Sequence, residues 1–215
     1  KVDVATAEAI QTLKDNGYEP FIATGRSSAE TRDIMESANI HSGIFMNGQV
    51  VLYQGKRVYS SEIPTETVKK FHQMVKEDGY GFTAYNDKEF YLVESTDGAK
   101  DAYGFIHTNP PALNADFYID NPINMLLFIC LPPAEEKYKV AFPNLDFLRN
   151  TPYSVDVISK GNSKAEGIKR FLEYLNQEDA ETYAFGDGPN DIEMLQVVTH
   201  PVAMGNAIPV LKELA

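Results

Sequence analysis

Phe185-Gly186-Asp187-Gly188-Pro189-Asn190-Asp191-Ile192-Glu193-Met194-Leu195 places two carboxylates four residues apart in a glycine-rich turn. The flanking patterns predict a strand over 182–185 and a helix over 191–197. A strand handing over to a helix in this way is the building unit of open α/β sheets, where ligands bind beyond the carboxyl ends of the strands. Asp187 and Asp191 would project into that crevice. Carboxylate oxygens suit Mg2+, which keeps several waters and adds phosphate oxygens from a substrate. A plain turn at Asp187-Gly188 with a helix cap at Asn190 or Asp191 explains the same residues. The stretch alone leaves both readings open.

Working outward, the same pattern recurs near the start of the chain. The apolar run Phe21-Ile22-Ala23 reads as a buried strand, Thr24-Gly25-Arg26 as a turn, and residues 28–38 as a helix with Ser27 and Ser28 as caps. The Thr24 hydroxyl and the amides after it would suit a phosphate near a helix N-terminus. An ordinary turn with Arg26 as a surface charge fits as well. Residues 4–16 place Ala5, Ala9, Ile10 and Leu13 on one helical face and stop at Gly17. A strand over 43–46 follows, then Asn47-Gly48 and a hairpin of strands 50–53 and 56–60 around Gln54-Gly55. With a helix over 164–175, the alternation predicts the α/β class: a Rossmann-like parallel-sheet core with helices on both faces.

From about Pro64 the pattern changes. A helix over 65–77 leads into strands over 80–85 and 89–94 about a turn at Asn86-Asp87, which suggests an inserted α+β unit. Residues 95–122, rich in Pro, Asn, Asp and Gly, read as loops with a short helix. Residues 125–131 form a buried strand and 134–141 a helix. The expected organisation is a discontinuous core, residues 1–63 and 152–215, interrupted by a cap of residues 64–151.

Composition narrows the partners. With 43% hydrophobic and 23% charged residues and 12 each of Tyr and Phe, the chain is globular. Its net charge of -12 repels a nucleic-acid backbone, although a local cation and a divalent metal override that field at one pocket. Cys130, the single cysteine, lies in an apolar run and reads as a buried hydrophobe, not a nucleophile. One thiol forms no internal disulfide, which fits a reducing compartment. With no signal peptide and no membrane-length apolar stretch, the cytoplasm is the expected location.

Lys164 stands where a helix begins, against the helix dipole. Asp191 with a bound phosphate would compensate it, and a solvated lysine beside a Ser163/Glu166 capping box is the alternative.

The order of the pieces is Ile22-Ala23-Thr24-Gly25-Arg26, Gly161-Asn162-Ser163-Lys164, Gly186-Asp187-Gly188-Pro189-Asn190-Asp191 and Val202-Ala203-Met204-Gly205-Asn206-Ala207. Over essentially the whole chain it resembles the Cof-type, type IIB-capped phosphatases of the haloacid dehalogenase-like superfamily. The resemblance implies a Mg2+-dependent phosphatase of small phosphorylated metabolites, sugar phosphates first. It also implies roles: Thr24, with Gly25 and Arg26, for the phosphoryl group, Lys164 for charge on phosphate and nucleophile, and Asp187 for Mg2+. By the same carry-over Asp191 supports the metal or orients Lys164, Asn190 contacts the phosphate region, and Asn47 contacts substrate. The resemblance implies an aspartyl-phosphate intermediate and a cap that closes over the site. Family members begin with a strand ending in Asp-x-Asp-Gly-Thr and continue through a further strand and helix; neither segment is among these residues. Asp3, just ahead of a helix and without the strand or the glycine turn, does not match the nucleophile. A phosphomutase, and a phosphate-binding module without catalysis, are the alternatives.

Overall fold

The computed structural model describes residues 2–149 and 151–215, and the chain forms two compact units, one of residues up to 60 with those from 162 onward, the other of residues 61–161. The first unit opens with α1 (Val4–Asp15), whose cap is Asp3: its Oδ1 accepts from the Thr6 amide at 2.9 Å. Asp3 therefore has a structural task of its own. No residue of α1 is buried: of the expected apolar face, Ala5, Ala9 and Leu13 are exposed and Ile10 is half-buried among the described residues.

β1 (Ile22–Ala23) leads into α2 (Ser28–Ser37), which starts with a reciprocal capping box between Ser27 and Glu30. β2 (Gly43–Phe45) then returns parallel to β1. Strand character ends at Phe45, one residue earlier than expected, because Met46, Asn47 and Gly48 all adopt positive φ (50°, 53° and 92°). β3 (Val50–Tyr53) and β4 (Lys56–Ser60) complete a four-stranded sheet in the order β1-β2-β3-β4.

The second unit contains α3 (Thr65–Asp78), β5 (Gly81–Tyr85), β6 (Phe90–Glu94), α4 (Ala99–Phe105) and α5 (Phe117–Asp120). It continues with β7 (Met125–Ile129), α6 (Glu135–Ala141), β8 (Leu145–Arg149) and β9 (Ser154–Ser159). Its five-stranded sheet, order β6-β5-β7-β9-β8, is antiparallel throughout. Phe71 organises the core, with ring centroids 5.4 Å from Phe82, Phe128 and Phe142 and 5.3 Å from Tyr138. Residues 95–122 hold two short helices where one was expected. The expected boundary at 151/152 is displaced to 161/162, because β9 is hydrogen-bonded between β7 and β8 and so belongs to this sheet. The entry boundary likewise falls at 60/61.

The chain re-enters the first unit with α7 (Lys164–Leu175), β10 (Tyr183–Gly186), α8 (Ile192–Val197), β11 (His200–Ala203) and α9 (Pro209–Leu214). β10 and β11 are parallel. A single 3-10 turn, Pro189–Asp191, separates β10 from α8, so the helix begins one residue later than expected. The molecule is of the α/β class: in the first unit β1–β2 and β10–β11 pair parallel while β2–β3 and β3–β4 pair antiparallel, so the expected parallel-sheet core is mixed, and the second unit is antiparallel. No helix among the described residues is long and apolar enough to cross a membrane.

Candidate functional site

Four loops of the first unit converge: residues 24–27 after β1, 46–49 after β2, 162–164 before α7, and 187–191 after β10. Close approach requires glycine at two of them. A Cβ on Gly48 would lie 2.1 Å from the Ser163 carbonyl oxygen, and φ there is +92°. A Cβ on Gly186 would lie 2.7 Å from that of Asp191. Asn47, itself buried, links two of the loops: its Oδ1 accepts from Asn190 Nδ2 at 3.2 Å, and its side chain lies 3.2 Å from where Gly25 would carry a Cβ.

In the first loop the Thr24 amide donates to Ile44 O at 2.9 Å, which seats the residue at the strand end. The expectation that several amides here stand ready for an anion needs correction. Arg26 N donates to Thr24 Oγ1 at 3.1 Å, and Ser27 N to Glu30 Oε2 at 2.9 Å. Among the described residues, what this loop leaves for a ligand is the Thr24 hydroxyl proton and the Gly25 amide, and Arg26, the next residue, is exposed.

Lys164 is brought to the start of α7 by Ser163, whose Oγ caps the Glu166 amide at 3.3 Å. The preceding Asn162 is held in turn: its Oδ1 accepts from Arg170 Nη1 at 2.7 Å and from the Tyr59 hydroxyl at 3.2 Å. Lys164 Nζ reaches Asp191 Oδ1 at 2.6 Å, with both side chains 7% exposed. The lysine is therefore not a solvated surface charge. Asp191 Oδ2 accepts from the amides of Asp187 at 2.9 Å and Gly188 at 3.0 Å. Burial pushes the Asp191 carboxyl up, but the Lys164 hydrogen bond and charge, with the Gly188 and Asp187 amides, outweigh it and hold the group below its ordinary value. With both oxygens engaged, Asp191 orients Lys164 and the 187–188 turn.

Asp187 contrasts with it. It is exposed, and its Oδ2 accepts from Asn206 Nδ2 at 2.9 Å, a neutral donor. Among the described residues no group of three or more His, Cys, Asp and Glu side chains is placed to hold a metal. Asp187 nevertheless fits Mg2+, which takes one or two protein carboxylates and completes its shell with water and phosphate oxygens.

Other candidates carry less chemistry. Cys130 is buried, and burial pushes its thiol up to about 11, so it is no nucleophile at neutral pH. In the β5–β6 turn Asn86 is buried, its Oδ1 accepting from the amides of Lys88 and Glu89, both at 2.9 Å. A cavity of about 790 Å³ within the second unit is lined by Asp78, Lys137 and Tyr138 among others. Asp78 accepts from Lys137 Nζ at 2.8 Å and from the Tyr138 hydroxyl at 2.9 Å, so both of its oxygens are engaged. What reading the sequence missed is the support around the site: the Asn206 bond to Asp187 and the Tyr59, Arg170 and Asn162 cluster. Asn206 lay within a recognised stretch, but nothing in its spacing indicated its partner.

The sequence pattern of the haloacid dehalogenase-like hydrolases matches residues 1–215. YkrA of Bacillus subtilis is 37% identical over 98% of this chain and 82% of its own length. The HMP-PP phosphatase of Yersinia enterocolitica is 27% identical over 99% of this chain and 81% of its own. Among solved structures, the subclass IIB sugar phosphatase BT4131 superposes with a TM-score of 0.83 at 26% identity, covering 100% of this chain and 85% of that one.

Proposed function

We propose, on the premise that this chain belongs to the haloacid dehalogenase-like hydrolases in their Cof-type branch and is a phosphatase of that family, that it hydrolyses small phosphorylated metabolites, sugar phosphates first, with Mg2+ as cofactor. The observation that carries this reading is the division between two aspartates four residues apart. Asp191 is buried and neutralised by Lys164 at 2.6 Å, whereas Asp187 is exposed and is met by a neutral amide, with no cation paired to it among the described residues. A phosphate site needs both: a fixed cation for the phosphoryl oxygens and an uncompensated carboxylate for a metal.

In this reading the Thr24 hydroxyl and the Gly25 amide donate to the phosphoryl oxygens, and Arg26 adds positive charge at the rim. Lys164 donates one N–H to Asp191 and has two more to direct at the phosphate and its attacker. Asn190 and Asn47 keep the loops in register. Mg2+ on Asp187 would neutralise charge on the phosphoryl group. The nucleophile is an aspartate outside these residues: its oxygen bonds to phosphorus as the ester oxygen departs, taking a proton from a second acid. Water, losing a proton to the conjugate base that this acid has become, then attacks phosphorus, releases phosphate and restores the carboxylate. The reading gives residues 61–161 the selection of the leaving group.

The test is turnover of a panel of sugar phosphates and other phosphomonoesters by the full-length gene product in isotopically labelled water. Labelled inorganic phosphate is the expected product. Transfer of the phosphoryl group to a second sugar would make the protein a phosphomutase, and binding without turnover would make it a binding module.

A further inference from the structure

Asp187 is anchored from the far side by the loop between β11 and α9. Met204 N donates to Gly186 O at 3.0 Å and Ile208 N to Asp187 O at 3.1 Å, so residues 204–208 run alongside the turn that carries the carboxylate. The loop is also tied to its own unit. Ala207 N donates to Met204 O at 2.9 Å, Lys212 Nζ to Gly205 O at 2.8 Å, and Ala207 and Leu211 are buried. From this frame Asn206 Nδ2 donates to Asp187 Oδ2 at 2.9 Å. No other side-chain hydrogen bond to the Asp187 carboxylate is made by the described residues.

A carboxylate on an exposed turn rotates freely about its side-chain bonds, and holding one oxygen fixes the plane of both. The donor's charge matters as well. A lysine or arginine here would neutralise the group, as Lys164 neutralises Asp191, whereas an amide fixes it and leaves its full charge for a cation. We infer that Asn206 is a positioning residue that holds Asp187 Oδ2 so that the carboxylate is presented to a divalent cation already oriented and without a competing side-chain cation. The inference rests on the reading of Asp187 as the cation's seat.

Calorimetric titration of Mg2+ or Mn2+ into the substrate-free, full-length protein tests it, alongside the Mg2+ dependence of turnover. Asn206→Ala is expected to weaken cation binding about 10-fold, at the lower end for groups supporting a metal ligand, and to raise the activating Mg2+ concentration in parallel. kcat at saturating Mg2+ and the melting temperature without metal should stay near wild type, a split that a merely structural residue would not produce. Asn206→Leu, close in volume but without a donor, should behave likewise and covers the case in which the alanine variant folds poorly. Wild-type cation affinity in both variants, with Asp187→Ala having lost it, overturns the role of Asn206 and leaves the function standing. Wild-type affinity in Asp187→Ala as well overturns both.

Discussion

The first unit buries polar side chains where its strands end, and the second buries rings where its strands run. Around the converging loops of the first, Asn47, Gln49, Asn162, Lys164 and Asp191 are all buried. In the second, Phe71, Phe82, Phe128 and Tyr138 are fully enclosed on one side of an antiparallel sheet. Burying polar groups costs free energy unless each is partnered, while burying rings is favourable in itself. The contrast separates a region shaped by chemistry from one shaped by stability, and substitutions in the two should fail differently.

The largest expected effect belongs to the buried pair. Lys164→Met leaves Asp191 enclosed without its counter-charge, a kind of loss that costs about 3–5 kcal/mol, and chemical denaturation should register it together with a collapse of turnover. Phe71→Ala should cost a similar about 3–5 kcal/mol through the cavity it leaves. Here, however, kcat per folded molecule should hold. A proportionate loss of kcat in this variant would break the distinction between the two regions.

Gly48→Ala ranks next, because the left-handed backbone costs about 1–3 kcal/mol for a residue with a Cβ, before the clash with Ser163 is relieved. Relief means moving the loop before Lys164, so activity should fall further than stability. Thermal melts beside kinetics would show it.

A finer test uses pH. The Asp191 carboxyl is held below its ordinary 3.8 in the folded state, so its contribution is present above about pH 4 and fades as pH falls through the lowered value. Removing Lys164 takes away its hydrogen bond and charge and leaves the amides of Gly188 and Asp187 against burial, so the carboxyl of the variant is lowered less. The stability gap between wild type and Lys164→Met should therefore be widest above pH 4 and narrow below it; a gap independent of pH would mean the pair is not ionised. The smallest effect is that of Asn190→Ala, which removes one bond to Asn47 worth about 1 kcal/mol.

Local chemistry was legible in the sequence. The hairpin of β3 and β4 follows from Gln54-Gly55, whose left-handed φ values of 46° and 75° suit that turn. The spacing of Thr24, Lys164, Asp187 and Asp191 marked loops that the structure brings together. Pairing over distance was not legible. The alternation in Ser154–Ser159 is plain, but nothing local says that it pairs with Met125–Ile129, and the unit boundary was misplaced by ten residues for that reason. Likewise, only the fold shows that the Arg26 and Ser27 amides are already bonded, or that Asn206, 19 residues beyond Asp187, returns to it.

The most direct test of the account is phosphate release by the full-length gene product with and without Mg2+, run beside Asp187→Ala. Turnover that requires the metal and disappears in the variant is the predicted result. Turnover that persists in Asp187→Ala, or that is indifferent to Mg2+ in wild type, would contradict the assignment of the uncompensated aspartate as the cation's seat.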